Sequence, residues 1–317
     1  MKEILLVRQG GLGDLLAVLP SLRFLRAAFP ECRLTIVCRQ GYGLLFRSTG
    51  LVDGLESESG SRFARLFLEP GSNDAETAAW LRGYDLVLGW TQGEASRALE
   101  PAVRSYGVPC RVIAYDPGQG LSVSRYFYEH TARRFADRMT SVFSFEDGIF
   151  LPITADIRHA GRALAGEAGI SDGARYAVIH PGAGSLKKRW PLKNFLTVAT
   201  RLSREGLPGL LITGEAEAEV EKVIKTAALP RSWTWLSRPD IMSLAGLLAE
   251  SFLYLGNDSG ITHLAAACGT KVLAVFRTEF ESAWKPNGRV LMFSAEEVTS
   301  IPVESVETAA CRESGSA

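Results

Sequence analysis

Short apolar runs alternate along the whole chain with longer segments in which apolar residues recur every three or four positions. The short runs are typical of buried strands, and the longer segments are typical of helices that pack on a sheet. We predict strands over residues 3–7, 34–38, 84–90, 111–114, 176–180, 209–213, 252–255 and 271–276. This alternation predicts an α/β fold whose parallel strands are joined by right-handed crossovers.

The alternation occurs twice, and we interpret residues 151–175 as the linker between the two halves. Two parallel sheets in tandem predict two domains that face a central cleft, with ligand loops at the carboxyl ends of the strands. Residues 15–29 are predicted as the first helix and residues 301–312 as the last. Residues 56–80 carry no assignable pattern.

The composition narrows the class of protein. Lysine plus arginine and aspartate plus glutamate both number 35, so no overall field attracts nucleic acid, and any anion must bind at a local site. The five cysteines show no metal-type spacing, which indicates free thiols in a reducing compartment. No apolar run approaches the roughly 20 residues of a membrane span. We predict a cytoplasmic protein and leave peripheral membrane contact open.

The most informative stretch is Gly256-Asn-Asp-Ser-Gly-Ile-Thr-His263, a small-residue turn between a strand and an alanine-rich helix. The first turn of such a helix directs free N–H groups and the positive dipole end at the loop, which suits a phosphate. Asp258, Ser259, Gly260 and His263 are therefore candidate ligand residues. The alternative is that Asp258 or Ser259 only caps the helix.

A second loop, Gly10-Gly-Leu-Gly-Asp14, follows the first strand. A dinucleotide fingerprint read from Gly11 requires glycine at position 16, where the chain has leucine, so nicotinamide or flavin binding is disfavoured. Asp14, on a glycine-rich turn, suits a general base that accepts a proton from an incoming hydroxyl. Its alternative role is to cap the following helix.

A third loop after a predicted strand contains Gly184 and Ser185 and then the basic residues around Lys188. Glycine lets backbone N–H groups approach phosphate oxygens, and lysine supplies charge. Glu215 and Glu217 follow the next strand, where a carboxylate can accept hydrogen bonds from a ribose. The spacing does not decide between these two glutamates.

The predicted helix over residues 124–142 has a basic face that includes Arg125, Arg133 and Arg134. Such a face is most often a solvated surface. The functional alternative is contact with an anionic acceptor or with an anionic membrane surface.

Three loops together resemble glycosyltransferase family 9, the ADP-heptose:lipopolysaccharide heptosyltransferases and their relatives. The matching residues are Gly11-Leu-Gly-Asp14, His180-Pro-Gly-Ala with the later Lys188-Arg-Trp-Pro191, and the turn from Gly256 to His263. The resemblance implies a GT-B fold of two Rossmann-like domains, with acceptor binding by residues 1–165 and nucleotide-sugar binding by residues 166–300. It also implies that a final helix, residues 301–317, returns to the first domain.

The resemblance also implies a role for each matching residue. Asp14 is the general base, and Gly11, Gly13, Arg125 and Arg134 are weaker candidates for acceptor contacts. Donor contacts are expected from the residues named above in the second half, which are Gly184, Ser185, Lys188, Glu215 or Glu217, Asp258, Ser259, Gly260 and His263. The chain departs from the type enzymes at Ala183-Gly-Ser185, where they carry hydroxyl residues.

Our first hypothesis is an inverting glycosyltransferase that needs no cofactor or metal and moves heptose from ADP-heptose to a lipopolysaccharide-core or similar glycolipid acceptor. The chain contains no Asp-x-Asp, which agrees with a metal-free site. One alternative keeps the fold but uses another nucleotide sugar, or is an epimerase that needs no acceptor. The other is a non-catalytic nucleotide-binding relative.

Overall fold

The computed structural model describes residues 1–68, 74–93, 95–139, 142–214 and 217–315. It divides into two units, Met1–Pro152 and Ile153–Ala317. Each unit is built on its own parallel sheet, as the apolar pattern predicts.

The sheet of the first unit has a buried central strand, and its described strands run in the order β3-β2-β1-β4-β5, all parallel. The chain crosses from one side of β1 to the other, so a topological switch point lies between β1 and β4, where open α/β sheets bind ligands. The strands are β1 (Glu3–Val7), β2 (Arg33–Cys38), β3 (Gly54–Ser57), β4 (Leu86–Thr91) and β5 (Cys110–Ala114).

The helices of the first unit cover this sheet. They are α1 (Leu12–Ala17), α2 (Leu19–Ala28), α3 (Gln40–Ser48), α4 (Ser61–Leu68), α5 (Ala75–Leu81), α6 (Ala95–Arg104) and α7 (Val123–Arg134). The single helix predicted over residues 15–29 is two helices that meet at Val18. Pro20 lies in the first turn of α2, where its missing N–H costs no hydrogen bond.

The second unit has a larger parallel sheet, whose described strands run in the order β11-β10-β9-β6-β7-β8. Its switch point lies between β6 and β9, where His180 is paired with Gly256. The strands are β6 (Ala177–His180), β7 (Gly209–Thr213), β8 (Trp233–Ser237), β9 (Leu253–Asn257), β10 (Lys271–Arg277) and β11 (Val290–Ala295). The loops that the sequence singled out after β6 and β9 therefore start from neighbouring strands.

Two helices of the second unit, the first and the last, are placed differently from what we expected. The described helices of this unit are α8 (Ala155–Glu167), α9 (Leu192–Arg204), α10 (Ala218–Ile224), α11 (Ile241–Glu250), α12 (Gly260–Ala267), α13 (Thr278–Trp284) and α14 (Val303–Ser314). None of the helices in the described parts of the chain is long and apolar enough to cross a membrane.

Helix α8 lies in the segment that we interpreted as a linker, and it belongs to the second unit. It packs against α11 so closely that a Cβ on Gly161 would lie 2.0 Å from the carbonyl carbon of Gly246. Because this contact is made within the second unit, the boundary falls between Pro152 and Ile153, ahead of the expected boundary after residue 165.

Helix α14 also lies in the second unit. It packs on α9, and Val306 and Ala310 are buried in the same apolar core as Trp190. We expected residues 301–317 to return to the first unit, and the structure instead places α14 on the second. The cause is its apolar face, which the core of the second unit buries.

Candidate functional site

Asp14 lies in the first turn of α1, directly after the glycine loop that follows β1. Its Oδ2 accepts a hydrogen bond from the N–H of Gly11, the N-cap residue, at 3.0 Å, and Gly13 is the second residue of the helix. Gly10 has φ +119°, and a Cβ there would lie 2.7 Å from the carboxyl carbon of Asp14, so only glycine fits. The carboxylate stabilises the helix start and is still 33% exposed, so capping and proton transfer are compatible.

Arg8, which sequence reasoning did not select, holds the other oxygen of Asp14. Its Nη2 lies 2.6 Å from Oδ1, its Nε donates to the Asp14 carbonyl, and its Nη1 donates to the carbonyl of Trp90. The guanidinium also packs 5.1 Å from the ring centre of Phe127. Burial lowers the pKa of Arg8, and the charge of Asp14 opposes that effect. A charged residue at the end of an apolar strand was the available signal.

The basic face of α7 is partly neutralised. Arg125 donates to Glu129 at 3.0 Å and to Glu146 at 3.1 Å, and it packs over the ring of Phe145. Arg134 is exposed, with its guanidinium 6.0 Å from the ring centre of Phe135, and Arg133 is exposed as well. Of the predicted acceptor contacts on α7, Arg134 is therefore better placed than Arg125 to receive an anion.

In the second unit, Asn257 joins the loops that follow β6 and β9. Its side chain is fully buried, its amide donates to the carbonyl of Pro181 at 2.7 Å, and its oxygen accepts from the N–H of Trp190 at 3.0 Å. The Trp190 ring is buried in the core and its indole N–H donates to the carbonyl of Ile301, so Trp190 packs within the unit. One amide thus fixes both predicted donor loops relative to each other.

Lys188 extends from the first of these loops to the second. Its ammonium lies 2.6 Å from Oδ2 of Asp258, so the two side chains form an ion pair. Asp258 is 8% exposed at its side chain and Lys188 is 27% exposed. The same ammonium lies 4.3 Å from the ring centre of Phe280 on α13, which the sequence did not single out.

The residues just before Lys188 are open to solvent. Gly184 and Ser185 are both exposed, and the carbonyl of Ser185 accepts from the N–H of Lys188 at 3.1 Å. Leu186–Lys188 is a short 3₁₀ turn. This turn directs Lys188 inward while its neighbour Lys187 stays exposed.

Ser259 is the N-cap of α12, and its hydroxyl accepts from the N–H of Thr262 at 3.4 Å. Gly260 is the first residue of the helix, and its N–H and that of Ile261 precede the first intrahelical hydrogen bond. His263 lies one turn further on, with its ring 6.3 Å from that of Trp284 on α13. Capping by Ser259 is therefore compatible with the predicted binding of an anion at this helix end.

Glu217 is buried beneath the loop that follows β6. Its Oε2 accepts from the N–H of Gly214 at 2.6 Å and lies 3.7 Å from Nε2 of His180. Burial alone would raise the pKa of Glu217, but hydrogen bonding and charge from His180, with the Gly214 N–H, outweigh burial, and the net shift is downward. Glu215 lies outside the described residues.

A further buried carboxylate, Glu221, closes the carboxyl ends of β7 and β8. It accepts hydrogen bonds from Thr213 at 3.1 Å and from Ser237 at 2.9 Å, and it forms an ion pair with Arg238. These bonds, with that from Ser237 the strongest, lower its pKa. Glu221 was not predicted to be a site residue, because a glutamate within a helix gives no signal of burial.

Each unit is Rossmann-like, with a helix start at the switch point of its parallel sheet, and this is the architecture of the GT-B class. The chain belongs to glycosyltransferase family 9, the heptosyltransferase family, whose model matches residues 150–308. The resemblance read from the sequence and the predicted GT-B architecture are both confirmed.

Individual relatives agree with this assignment. The chain is 25% identical over 288 residues to lipopolysaccharide heptosyltransferase 1 of Pseudomonas aeruginosa, covering 86% of this chain and 78% of that protein. It is 25% identical over 134 residues to lipopolysaccharide heptosyltransferase 3 of Escherichia coli, a match that spans 41% of this chain and 39% of that relative. The solved structure of E. coli ADP-heptose lipopolysaccharide heptosyltransferase II superposes with a TM-score of 0.77 at 17% identity, covering 99% of this chain and all of that one (100%).

Proposed function

We propose that the protein transfers heptose from ADP-heptose to a lipopolysaccharide-core or related glycolipid acceptor, with inversion at the anomeric carbon and without a metal ion. The observation that carries this proposal is the Lys188 ammonium beside Asp258 at the N-terminus of α12, at the switch point of the second sheet. The choice of heptose as the sugar and adenine as the nucleotide base comes from the names of the relatives, one of which includes ADP-heptose.

The donor diphosphate is assigned to the second unit. Lys188 and the first-turn N–H groups of α12 supply positive charge where the β-phosphate develops negative charge as the bond to the sugar breaks. Asp258, held beside the start of α12 by its ion pair with Lys188, is a carboxylate suited to accept a hydrogen bond from a hydroxyl of the sugar. Glu217, held at its own loop by Gly214, is assigned to the ribose.

The acceptor hydroxyl is assigned to Asp14 in the first unit. The hydroxyl oxygen forms a bond to the anomeric carbon while its proton passes to the Asp14 carboxylate, and the bond from that carbon to the diphosphate oxygen breaks. Arg8 holds Oδ1 and the Gly11 N–H holds Oδ2, so the carboxylate cannot rotate away. A single displacement of this kind inverts the anomeric centre.

Acceptor contacts beyond Asp14 are assigned to the exposed basic side chains of α7. Arg133 and Arg134 are exposed, and their charges suit a phosphorylated glycolipid or the anionic inner face of the cytoplasmic membrane. We place the protein on the cytoplasmic side, where a nucleotide-sugar donor is available.

Calorimetric titration with ADP, UDP and GDP tests the donor assignment on the wild type and on Lys188→Ala. We expect ADP to bind best and its affinity to fall about 10- to 100-fold in the variant, the effect of losing a charge-assisted contact. Lys187→Ala is the matched control, because it removes the same charge from an exposed neighbour in the same loop. UDP preference would overturn the ADP donor, and equal losses in both variants would overturn the role of Lys188.

A transfer assay then tests the reaction itself. We expect ADP release from ADP-heptose to require the glycolipid acceptor and to persist in EDTA. Conversion of the donor without acceptor would indicate an epimerase, whereas ADP binding without turnover would indicate a non-catalytic relative.

A further inference from the structure

A buried chain of polar groups links the carboxylate after β7 to the helix start after β9. His180, the last residue of β6, is 4% exposed. Its Nδ1 lies 3.3 Å from the hydroxyl of Ser259, and its Nε2 lies 3.7 Å from Oε2 of Glu217. The proposed transfer chemistry gives this histidine no role.

The strand order explains why His180 occupies this place. Strand β6 lies between β9 and β7 in the sheet, so its last residue is between the loops that carry Ser259 and Glu217. Gly182 makes room for the contact, because a Cβ at that position would lie 2.5 Å from Oε1 of Glu217. The contact to Glu217 therefore depends on a glycine in the loop that also leads to Lys188.

At Ser259, this row of buried polar groups is hydrogen-bonded to the core of the unit. The Thr262 hydroxyl donates to the carbonyl of Asn257, and it therefore has only lone pairs to offer to Tyr254, at 3.1 Å, and to Ser259, at 3.2 Å. The single hydroxyl proton of Ser259 is donated either to Thr262, in which case Nδ1–H of His180 donates to Ser259, or to Nδ1 itself, and the tautomer of His180 decides which. Either way, the hydroxyl at the start of α12 is oriented through His180.

We infer that His180 is a positioning residue for the donor nucleotide, which holds Glu217 and Ser259 in register so that the ribose contact and the diphosphate contact form together. This inference rests on the proposed function, since it assumes that one nucleotide diphosphate reaches both loops. His180 itself touches neither the sugar nor the phosphate and acts through its two partners.

A double-mutant cycle on ADP affinity tests the coupling. Glu217→Gln, Ser259→Ala and their combination are compared in two backgrounds, one with His180 and one with His180→Ala. No direct contact joins Glu217 and Ser259 among the described residues, so without a mediator their effects should add. We expect coupling of roughly 3- to 10-fold with His180 present and additivity within about twofold without it.

Two further substitutions separate the two contacts of the ring. His180→Asn places an amide near the position of Nδ1 and is expected to restore the Ser259 contact, while His180→Gln places one near Nε2 and is expected to restore the Glu217 contact. Each should recover part of the ADP affinity lost in His180→Ala, and the loss should appear in the donor KM more than in kcat. Both variants also serve as backgrounds for the cycle where His180→Ala does not fold.

The outcomes are distinguishable. Additive effects of Glu217→Gln and Ser259→Ala in both backgrounds, in a protein that binds ADP, overturn the role of His180 and leave the proposed donor site intact. Equal ADP affinity in wild type and His180→Ala does the same. Failure of the wild type to bind any nucleoside diphosphate overturns the inference together with the proposed function.

Discussion

The starts of α1 and α12 are built from the same parts and differ in charge. Each follows a buried parallel strand and a small-residue turn at the switch point of its sheet. At α1 the carboxylate of Asp14 bonds to the N–H of the N-cap residue, with Arg8 behind it. At α12 the cap is the neutral hydroxyl of Ser259, and the nearby carboxylate, Asp258, is paired with Lys188 instead.

This difference shows that a helix start has no fixed ligand preference. At α1 a carboxylate in the first turn accepts from the N-cap N–H and presents a proton acceptor, whereas α12, capped by a hydroxyl, leaves its positive end for an incoming anion. This contrast supports our proposal that the two units serve opposite halves of one group transfer. The predictions below test this contrast.

Asp14→Asn should have the largest effect. The amide keeps the size of the side chain but cannot accept the proton, so we expect kcat to fall about 10²- to 10⁴-fold. ADP affinity, measured by calorimetry, should stay within about twofold, because Asp14 lies in the other unit. Glu31→Gln, which removes a charge from an exposed turn of the same unit, is the control. A matching loss of ADP affinity would contradict the division of roles.

Arg8→Met should have an intermediate effect. Methionine fills much of the space but leaves the buried Trp90 carbonyl without its guanidinium donor and frees Asp14 to rotate, so we expect kcat to fall roughly tenfold and stability by about 1–3 kcal/mol. Steady-state rates and urea denaturation measure the two losses. Arg26→Met, which breaks the ion pair with Asp53, should lose stability alone. An unchanged kcat in Arg8→Met would show that Asp14 needs no support.

The smallest expected effect is on stability in acid, and it comes from the buried carboxylate of Glu217. Its pKa in the folded protein lies below the ordinary value of 4.5, so its carboxylate stabilises the fold above about pH 4.5, and this contribution is lost as the pH falls through the lower, folded value. Between about pH 5 and pH 3 the free energy of unfolding should therefore fall more in the wild type than in Glu217→Gln.

Urea denaturation across this pH range measures the difference. Glu219→Gln is the matched control, because this carboxylate is 79% exposed on the same helix. Parallel acid slopes for the wild type and Glu217→Gln would show that the contacts of Glu217 with His180 and Gly214 do not stabilise the fold.

Much of the fold was predictable because its strands are buried on both faces and read as plain apolar runs. Strands β1 and β7 occur at their predicted positions, 3–7 and 209–213. The region from 56 to 80 was not predictable, because β3 is a four-residue edge strand and α4 and α5 are short. Nor does a sequence show that α8 and α11 touch through Gly161 and Gly246.

The site residues that belong to a sequence motif were predictable, whereas those whose role depends on buried contacts were not. The order of small residues and Asp258, Ser259 and His263 signalled a ligand turn. Arg8 and Asn257 were not selected, because their roles depend on buried contacts that the sequence does not show, with Trp90 for Arg8 and with Pro181 and Trp190 for Asn257. Phe280, whose ring lies beside Lys188, is reached only through the pairing of β9 with β10.

The boundary between Pro152 and Ile153 has a consequence for inheritance. All the described residues that we assign to the donor lie on one side of it, with an apolar core of their own, and the candidate base lies on the other. Recombination at this boundary would replace the first unit, with the candidate base, and leave the donor residues of the second unit unchanged. A lineage could thus acquire a new acceptor through its first half while its descendants keep the same activated sugar.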